Sequence, residues 1–257
     1  MHSEVISWFL VFARAGALMM VFPLFSAQNV PVRLRVGLAA VTALVAAPLL
    51  PLSQVPNASF WGLIQLLFTE ASIGCLIGFV CRLIFFTIDL AGGMIATEIG
   101  LMLSTNFNPL TSGALPIPGL ILFWLSMMLL LSLNLHHWII AGFQQSYVLL
   151  PPGGAHLTEA LASEVVTRTG RIFPLALQMT APVMGVSFVI SLIFSVLSRA
   201  VPQMNVFTES FPVRSMAGLA VFGFTCHLMA QHIENSLRAI PEDIVRIAHL
   251  LSSAPSP

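Results

Sequence analysis

Six apolar stretches dominate the sequence and limit the folds that are open to it. A helix needs about 20 apolar residues to cross a bilayer, so the second stretch is short and the third is long. The fourth stretch continues in weaker form to Phe143. The stretches are Val5–Phe25, Val36–Leu50, Trp61–Ile88, Gly119–Leu133, Ile172–Leu197 and Val213–Ala230.

These stretches lack the period-two alternation of barrel strands and are rich in Leu, Ala, Phe and Met. The whole chain is 57% hydrophobic and 8% charged, whereas soluble domains are about 25% charged. We therefore predict an all-α integral membrane protein with about six apolar helical segments.

Arginine counts test a conventional six-span topology. One side of the membrane would hold Arg33, Arg35, Arg199 and Arg214, and the other Arg168, Arg171, Arg238 and Arg246, which is four against four. The positive-inside rule therefore gives no orientation. The tie arises either by chance or because the chain does not follow a serpentine six-span arrangement.

Charged residues also lie within or beside the apolar stretches: Arg14, Glu70, Arg82, Asp89 and Glu98. An ionised group that faces lipid costs several kcal/mol, so each of these side chains needs a partner or water. We interpret them as satisfied by contacts to another helix or subunit. A proton relay or ion site is the alternative.

Small residues at four-residue spacing mark places of close helix packing. Gly74 and Gly78 form a GxxxG motif, and Gly92, Ala96 and Gly100 continue the spacing further along the chain. Such a groove lets another backbone approach closely.

The sequence lacks the patterns of an enzyme, a metal site or a nucleic-acid binder. Its ten basic residues are all arginine, are scattered singly and balance ten acidic residues. His136 and His137 are adjacent and point about 100° apart on a helix, and His227 and His232 are five apart, so neither pair has good metal-ligand spacing. The three cysteines lie in apolar stretches without a CxxC motif. We expect no catalysis, no cofactor, no metal and no nucleic-acid partner.

The stretch STNFNPLTSGALPIPG, from Ser104 to Gly119, interrupts the apolar pattern with three prolines and two glycines. Prolines oppose a continuous helix, and Gly113 supplies a hinge. Irregular backbone at membrane depth is tolerated only where it is buried in protein or faces water. An ordinary surface loop between two helices is the other interpretation. Further along, charges alternate with apolar positions from Glu234 onwards, which predicts an amphipathic C-terminal helix.

Four stretches in the same order resemble the family of the flagellar export-gate protein FliR and its virulence-secretion counterparts. They are Arg14–Pro51, Ala91–Gly113, Asn134–Gly154 and Leu197–Leu219. The resemblance implies a non-enzymatic, pore-forming subunit of the type III export gate, which passes unfolded substrate proteins across the bacterial inner membrane at the flagellar basal body. Its expected partners in a hetero-oligomer are FliP and FliQ, with FlhB and FlhA also expected.

Family membership also implies how the chain is divided. Residues 1–171 would be a FliP-like helical part, and residues 172–257 a FliQ-like helical hairpin followed by the amphipathic helix. The helices would assemble in a staggered rosette instead of six plain spans. The expected residues of the hairpin bend are Arg199, Pro202, Gln203, Asn205, Phe207 and Pro212.

In the family, the loop that corresponds to residues 106–118 closes the axial pore. Met102 would seal the pore, and the small residues Gly74, Gly78, Gly92, Ala96 and Gly100 would pack on neighbouring subunits. Two departures from the family pattern, Asn108 in place of an aspartate and Glu209–Ser210 before the FP pair, weaken the choice between a flagellar and a virulence system. The expected plug residues are Asn106, Phe107, Asn108, Pro109, Leu110, Thr111, Ser112, Gly113, Leu115, Pro116 and Pro118.

A stand-alone secondary transporter or ion channel is the alternative function, with Arg82, Asp89 and Glu98 along its ion path. Transporters usually contain inverted repeats with broken helices in matching places, and the sequence has no convincing repeat of that kind.

Overall fold

The computed structural model describes residues 2–26, 30–49, 59–102, 116–156, 158–203 and 205–252. Every regular element in these ranges is helical, which confirms the predicted all-α class. A single 3₁₀ turn, Ala47–Leu49, follows the third helix. The α-helices are α1 His2–Val21, α2 Pro23–Ser26, α3 Val32–Ala46, α4 Phe60–Glu98, α5 Ile117–Ser132, α6 Leu135–Leu149, α7 Glu159–Gly170, α8 Ile172–Ala200, α9 Val206–Arg238 and α10 Ile240–Ser252.

The described helices long and apolar enough to cross a membrane number three, although the sequence has six apolar stretches. They are α4, the long helical segment made up of α7 and α8, and the long helical segment made up of α9 and α10. Helices α5 and α6 meet at a bend and make a fourth span only if the bent pair counts as one. The chain is thus an all-α membrane protein, and its apolar stretches do not translate into six straight spans.

Helix α4 has 39 residues and is therefore about 58 Å long, well beyond the roughly 30 Å of a bilayer's hydrocarbon core. Its apolar stretch was predicted to end at Ile88, and the helix runs ten residues further, to Glu98. The extension crosses Gly92 and Gly93, so small residues here do not interrupt the helix.

Two breaks in the helices have local causes. Asn134 separates α5 from α6 with a positive φ of 55°, a conformation that asparagine tolerates better than most residues. Pro118 was predicted to oppose helix formation, but it lies in the first turn of α5 and is buried. The expectation was wrong at this position because the first turn of a helix has no intrahelical partner for its N–H groups, so proline fits there.

The contacts divide the chain into two compact units. The first comprises Met1–Ile84, Leu131–Thr169 and Leu237–Pro257, and the second Phe85–Leu130 and Gly170–Ser236. Helix α4 contributes its first part to one unit and its second part to the other. The predicted FliP-like and FliQ-like parts concern resemblance to other proteins, so that division stays a prediction.

In the first unit, α1 packs on α3 and α10 packs on α6. Helix α3 turns the small side chains Ala39, Ala43 and Ala46 inward. Helix α10 is amphipathic, as predicted, and its buried Ile244 lies against Gly142 of α6. The amphipathic helix therefore packs on its own chain.

Candidate functional site

A buried ion pair lies in the first unit. Arg14 Nε donates a hydrogen bond of 2.6 Å to Glu70 Oε2, and Arg14 Nη2 donates one of 3.0 Å to Glu70 Oε1. Both side chains are 0% exposed. The prediction that charged residues in the apolar stretches are satisfied by another helix is confirmed for these two, and the partner belongs to the same chain.

Two further donors of Arg14 are also used. Its guanidinium donates 3.3 Å to Ser146 Oγ and 3.2 Å to the Leu150 carbonyl, and it lies 3.7 Å from the centre of the Tyr147 ring. The Tyr147 hydroxyl donates in turn to Glu70 Oε2 at 3.3 Å. A buried ion pair is tolerated only when its other hydrogen-bonding groups have partners. This charge cluster therefore joins α1, α4 and α6.

The sequence did not identify Ser146 or Tyr147 as members of the charge cluster. A signal was present, since Tyr147 is the chain's one tyrosine and directly precedes the apolar run Val148–Leu150. A buried phenol usually finds a hydrogen-bond partner. Its partner is 77 positions away in the sequence, so only the fold reveals the pairing.

The C-terminal end of α4, in the second unit, is capped by a turn that contains a glycine. Gly100 has a φ of 81° and donates its N–H to the Thr97 carbonyl at 3.1 Å, and the Leu101 N–H donates to the Ala96 carbonyl at 2.8 Å. This pair of bonds is the Schellman motif, which satisfies two of the last four carbonyls of a helix.

The other two carbonyls at this end accept hydrogen bonds from α8 and α9. Ser187 Oγ of α8 donates to the Glu98 carbonyl at 3.3 Å, and Ser215 Oγ of α9 donates to the Ile99 carbonyl at 2.7 Å. Each of the four terminal carbonyls of α4 thus has a partner.

Glycines allow close contact around the same end. A Cβ placed on Gly100 would lie 2.5 Å from Cε2 of Phe211, and one placed on Gly218 would lie 2.2 Å from Cγ2 of Ile99. Two turns earlier in α4, a Cβ on Gly92 would lie 2.1 Å from the Cα of Gly119 in α5. Backbone and side chains therefore meet here at distances that a larger residue would prevent.

The predicted plug lies mostly outside the described residues, which stop at Met102 and resume at Pro116. Met102 and Pro116 are half-buried, and Pro118 is buried. The plug and the Met102 seal stay predictions. The structure places the two flanks of the segment, the closed end of α4 and the start of α5.

The small residues predicted to pack on neighbouring subunits have close contacts within this chain. A Cβ on Gly74 would lie 2.2 Å from the Arg14 carbonyl oxygen, and one on Gly78 would lie 2.9 Å from Val21 Cβ, both in α1. Gly92 and Gly100 have the contacts given above, and Ala96 is buried. Packing of these residues on another subunit stays a prediction.

The residues predicted to line an ion path are half-buried members of α4. Arg82 belongs to the first unit, and Asp89 and Glu98 belong to the second. The Glu98 carbonyl, as described, accepts a bond from Ser187. Across the described residues, no three His, Cys, Asp or Glu side chains are grouped so as to hold a metal ion.

The predicted hairpin region consists of α8 and α9 joined by residues 201–205. Arg199 lies in the last turn of α8, Pro202 and Gln203 lie in the connecting turn, and Pro212 lies within α9. Asn205 precedes α9, where its carbonyl accepts the Thr208 hydroxyl at 3.1 Å. Phe207 lies in the first turn of α9.

Both helices of this region expose large apolar side chains. Phe188 is 63% exposed and Val196 is 69% exposed on α8, and Met216 is 75% and Phe224 87% exposed on α9. Surfaces of this kind are covered by lipid or by another protein.

A second ion cluster, which the sequence did not reveal, joins α7 to α10 in the first unit. Arg168 pairs with Asp243 and, at 2.8 Å, with Glu164. Arg246, whose side chain is 62% exposed, lies 3.1 Å from the same Glu164. These partly exposed pairs link two amphipathic helices.

Comparison with known proteins gives a consistent result. Residues 5–240 match the family model described as bacterial export proteins, family 1. The chain is 28% identical over 235 residues to the flagellar biosynthetic protein FliR of Escherichia coli strain K12, with 90% of each chain covered. It is 31% identical over 217 residues to the protein of that name from Caulobacter vibrioides, with 84% of this chain and 86% of the relative covered. The Bacillus subtilis protein of that name is 27% identical over 81% of each chain.

Proposed function

The chain belongs to the bacterial export proteins, family 1, and we propose that it is a pore-forming subunit of the flagellar type III export gate. As a member of the FliR family it is a membrane-embedded component of the flagellar export apparatus. The proposal adds that the gate lies in the bacterial inner membrane, passes unfolded proteins, and is closed by residues 106–118.

The end of α4 is the observation that carries the proposal. Its four terminal carbonyls are satisfied by the Schellman motif and by two serines from two further helices. On the other flank of the segment, α5 begins beside the Gly92–Gly119 contact. A pore-closing segment needs fixed ends, because its closed position is otherwise undetermined, and both flanks here are anchored in packed helices.

The exposed apolar surface supports a hetero-oligomer. Helices α8 and α9 expose about half of their described large apolar side chains, and the proposed partners FliP and FliQ would cover part of that surface. FlhB and FlhA would join the same assembly. The alternative, a stand-alone transporter with Arg82, Asp89 and Glu98 along its ion path, would be expected to contain inverted repeats, and the sequence has no convincing repeat of that kind.

Shortening the plug tests the proposal. Residues 106–112 would be removed, and the assembled complex would be measured in planar bilayers. We expect a closed complex of the unaltered chain and a conducting complex of the shortened one, because the passage loses its closing segment. Removing seven residues from 51–57, another segment between helices, is the matched control and should leave the complex closed. Equal conductance of the shortened and unaltered complexes, at equal assembly, would refute the plug.

A further inference from the structure

We propose that α8 and α9 act as a latch on the C-terminal end of α4. The latch consists of Ser187 on α8 with Phe211, Ser215 and Gly218 on α9. All four residues and the end of α4 that they contact belong to the second unit.

Hydrogen bonding supplies the first half of the latch. A helix end leaves four carbonyls without intrahelical partners, and the Schellman motif at Gly100 satisfies two of them. The Glu98 and Ile99 carbonyls depend instead on the hydroxyls of Ser187 and Ser215. A carbonyl without a partner is costly away from water. Displacing α8 and α9 would therefore leave both carbonyls without these partners and destabilise the end of α4.

Shape complementarity supplies the second half. Gly218 leaves room for the Ile99 side chain, which a Cβ would meet at 2.2 Å. The Phe211 ring covers Gly100, whose φ of 81° strongly favours glycine. Ile99 and Gly100 are thus contacted by α9 through both side-chain packing and a hydrogen bond.

The function of the latch rests on the proposed function of the chain. The residues that follow the latched end begin the segment that we propose closes the pore. A helix end that is held by α8 and α9 places the start of that segment, and movement of these helices would release it. The latch would in this way couple the position of α8 and α9 to closure.

Thiol labelling tests the latch without reference to the pore. Leu101, directly after Gly100, would be replaced by Cys in a chain in which Cys75 and Cys226 are Ser. Cys81, which is buried in the first unit, stays as an internal reporter of loosening outside the second unit. The complex in membranes would be treated with N-ethylmaleimide, and labelling of both positions would be followed by mass spectrometry.

Removal of both hydroxyls by Ser187→Ala with Ser215→Ala should raise the labelling rate at position 101 about tenfold, because each net hydrogen bond changes an opening equilibrium by a factor of several. Ser215→Ala alone should give a smaller rise and serves if the double variant fails to accumulate. Ser215→Thr keeps the hydroxyl and should restore the original rate. Ser198→Ala is the matched control, since the Ser198 hydroxyl bonds only within α8, to the Ser195 carbonyl.

Faster labelling at position 101 with Cys81 unchanged supports the latch. An unchanged rate at position 101, or faster labelling of both positions, overturns it. Bilayer conductance of the same variants separates the two proposals. If the shortened plug conducts and the double serine variant does not, the latch does not control closure. If neither conducts, the plug proposal fails, and the labelling result still decides whether the latch exists.

Discussion

The two units satisfy polar groups in different ways. Among the described residues, the fully buried charges are Arg14 and Glu70, and both lie in the first unit, where they form one ion pair. In the second unit, serine hydroxyls meet the end carbonyls of α4, and glycines permit close contacts. Close glycine contacts occur in both units, since Gly74 and Gly78 also lie against α1. What distinguishes the described part of the first unit is therefore its fully buried ion pair.

This difference indicates which substitutions each unit tolerates. A buried ion pair loses more when one partner is removed than when both are replaced by apolar residues. A glycine contact responds instead to volume, whatever the chemistry of the substituent. Substitutions that remove a fully buried charge should act in the first unit, and substitutions that add a methyl group at a close glycine contact should act in both units.

The largest effect is expected from breaking the ion pair. Arg14→Met leaves the Glu70 carboxylate buried without its partner, which should destabilise the subunit by about 3–5 kcal/mol. Replacing both residues by Met should be much milder. The amount of intact subunit and its thermal midpoint in detergent would be measured, with the exposed Arg33→Met as control. If the single and double variants are equally stable, the unpaired Glu70 carboxylate carries no penalty, which would contradict this account of the ion pair.

The next effect tests shape in the second unit. Gly92→Ala places a Cβ 2.1 Å from the Gly119 Cα, and such overpacking typically costs about 1–3 kcal/mol. The neighbouring Gly93 is a matched control, because a Cβ there meets no atom within 4 Å. Gly93→Ala should be neutral or slightly stabilising, since alanine favours a helix more than glycine does. Thermal midpoints of the two variants give the comparison, and equal values would contradict the packing account.

A smaller effect is expected from Tyr147→Phe. The variant keeps the ring against Arg14 and loses the hydroxyl bond to Glu70 Oε2, a loss of roughly 1 kcal/mol for one hydrogen bond. The thermal midpoint should fall by much less than for Arg14→Met. A fall as large as that of Arg14→Met would show that the hydroxyl, and not the ion pair, holds the charge cluster together.

The smallest effect is expected at the second ion cluster. Arg168→Ala removes contacts to Glu164 and Asp243 at partly buried positions, and Arg246→Ala removes one contact of a side chain that is 62% exposed. Exposed pairs contribute about 0–1 kcal/mol and are screened by salt. Thermal midpoints at low and high salt should show the Arg168 variant as the more affected, with the difference shrinking at high salt. The reverse order would contradict this assignment.

The sequence predicted the fold class well because hydropathy is a property of each segment. The apolar stretches, the amphipathic C-terminal helix and the need of Arg14 and Glu70 for partners all follow from residue type and spacing. The length of α4 does not follow from residue type and spacing. Its last ten residues mix small and polar side chains, which are stabilised as a helix by tertiary packing. Pro118 shows the related limit that the effect of a proline depends on its position within the helix.

The contacts of the candidate site could not be predicted from the sequence, for a different reason. Arg14 and Glu70 are 56 positions apart, and Ser215 and Ile99 are 116 apart. Periodicity identifies the face on which a residue lies, but it does not identify the helix that packs there. For the same reason, the four-residue spacing of Gly74 and Gly78 predicted a close backbone approach without revealing that α1 of the same chain makes it.

The most direct test of the account is the composition of the complex that the chain forms. The chain would be co-expressed with FliP and FliQ and solubilised gently, and the mass and subunit content of the purified material would be determined. We predict a large, stable complex that contains all three proteins, because the exposed apolar surface of α8 and α9 then has partners. A well-behaved monomer or homodimer that binds neither protein would contradict the export-gate function.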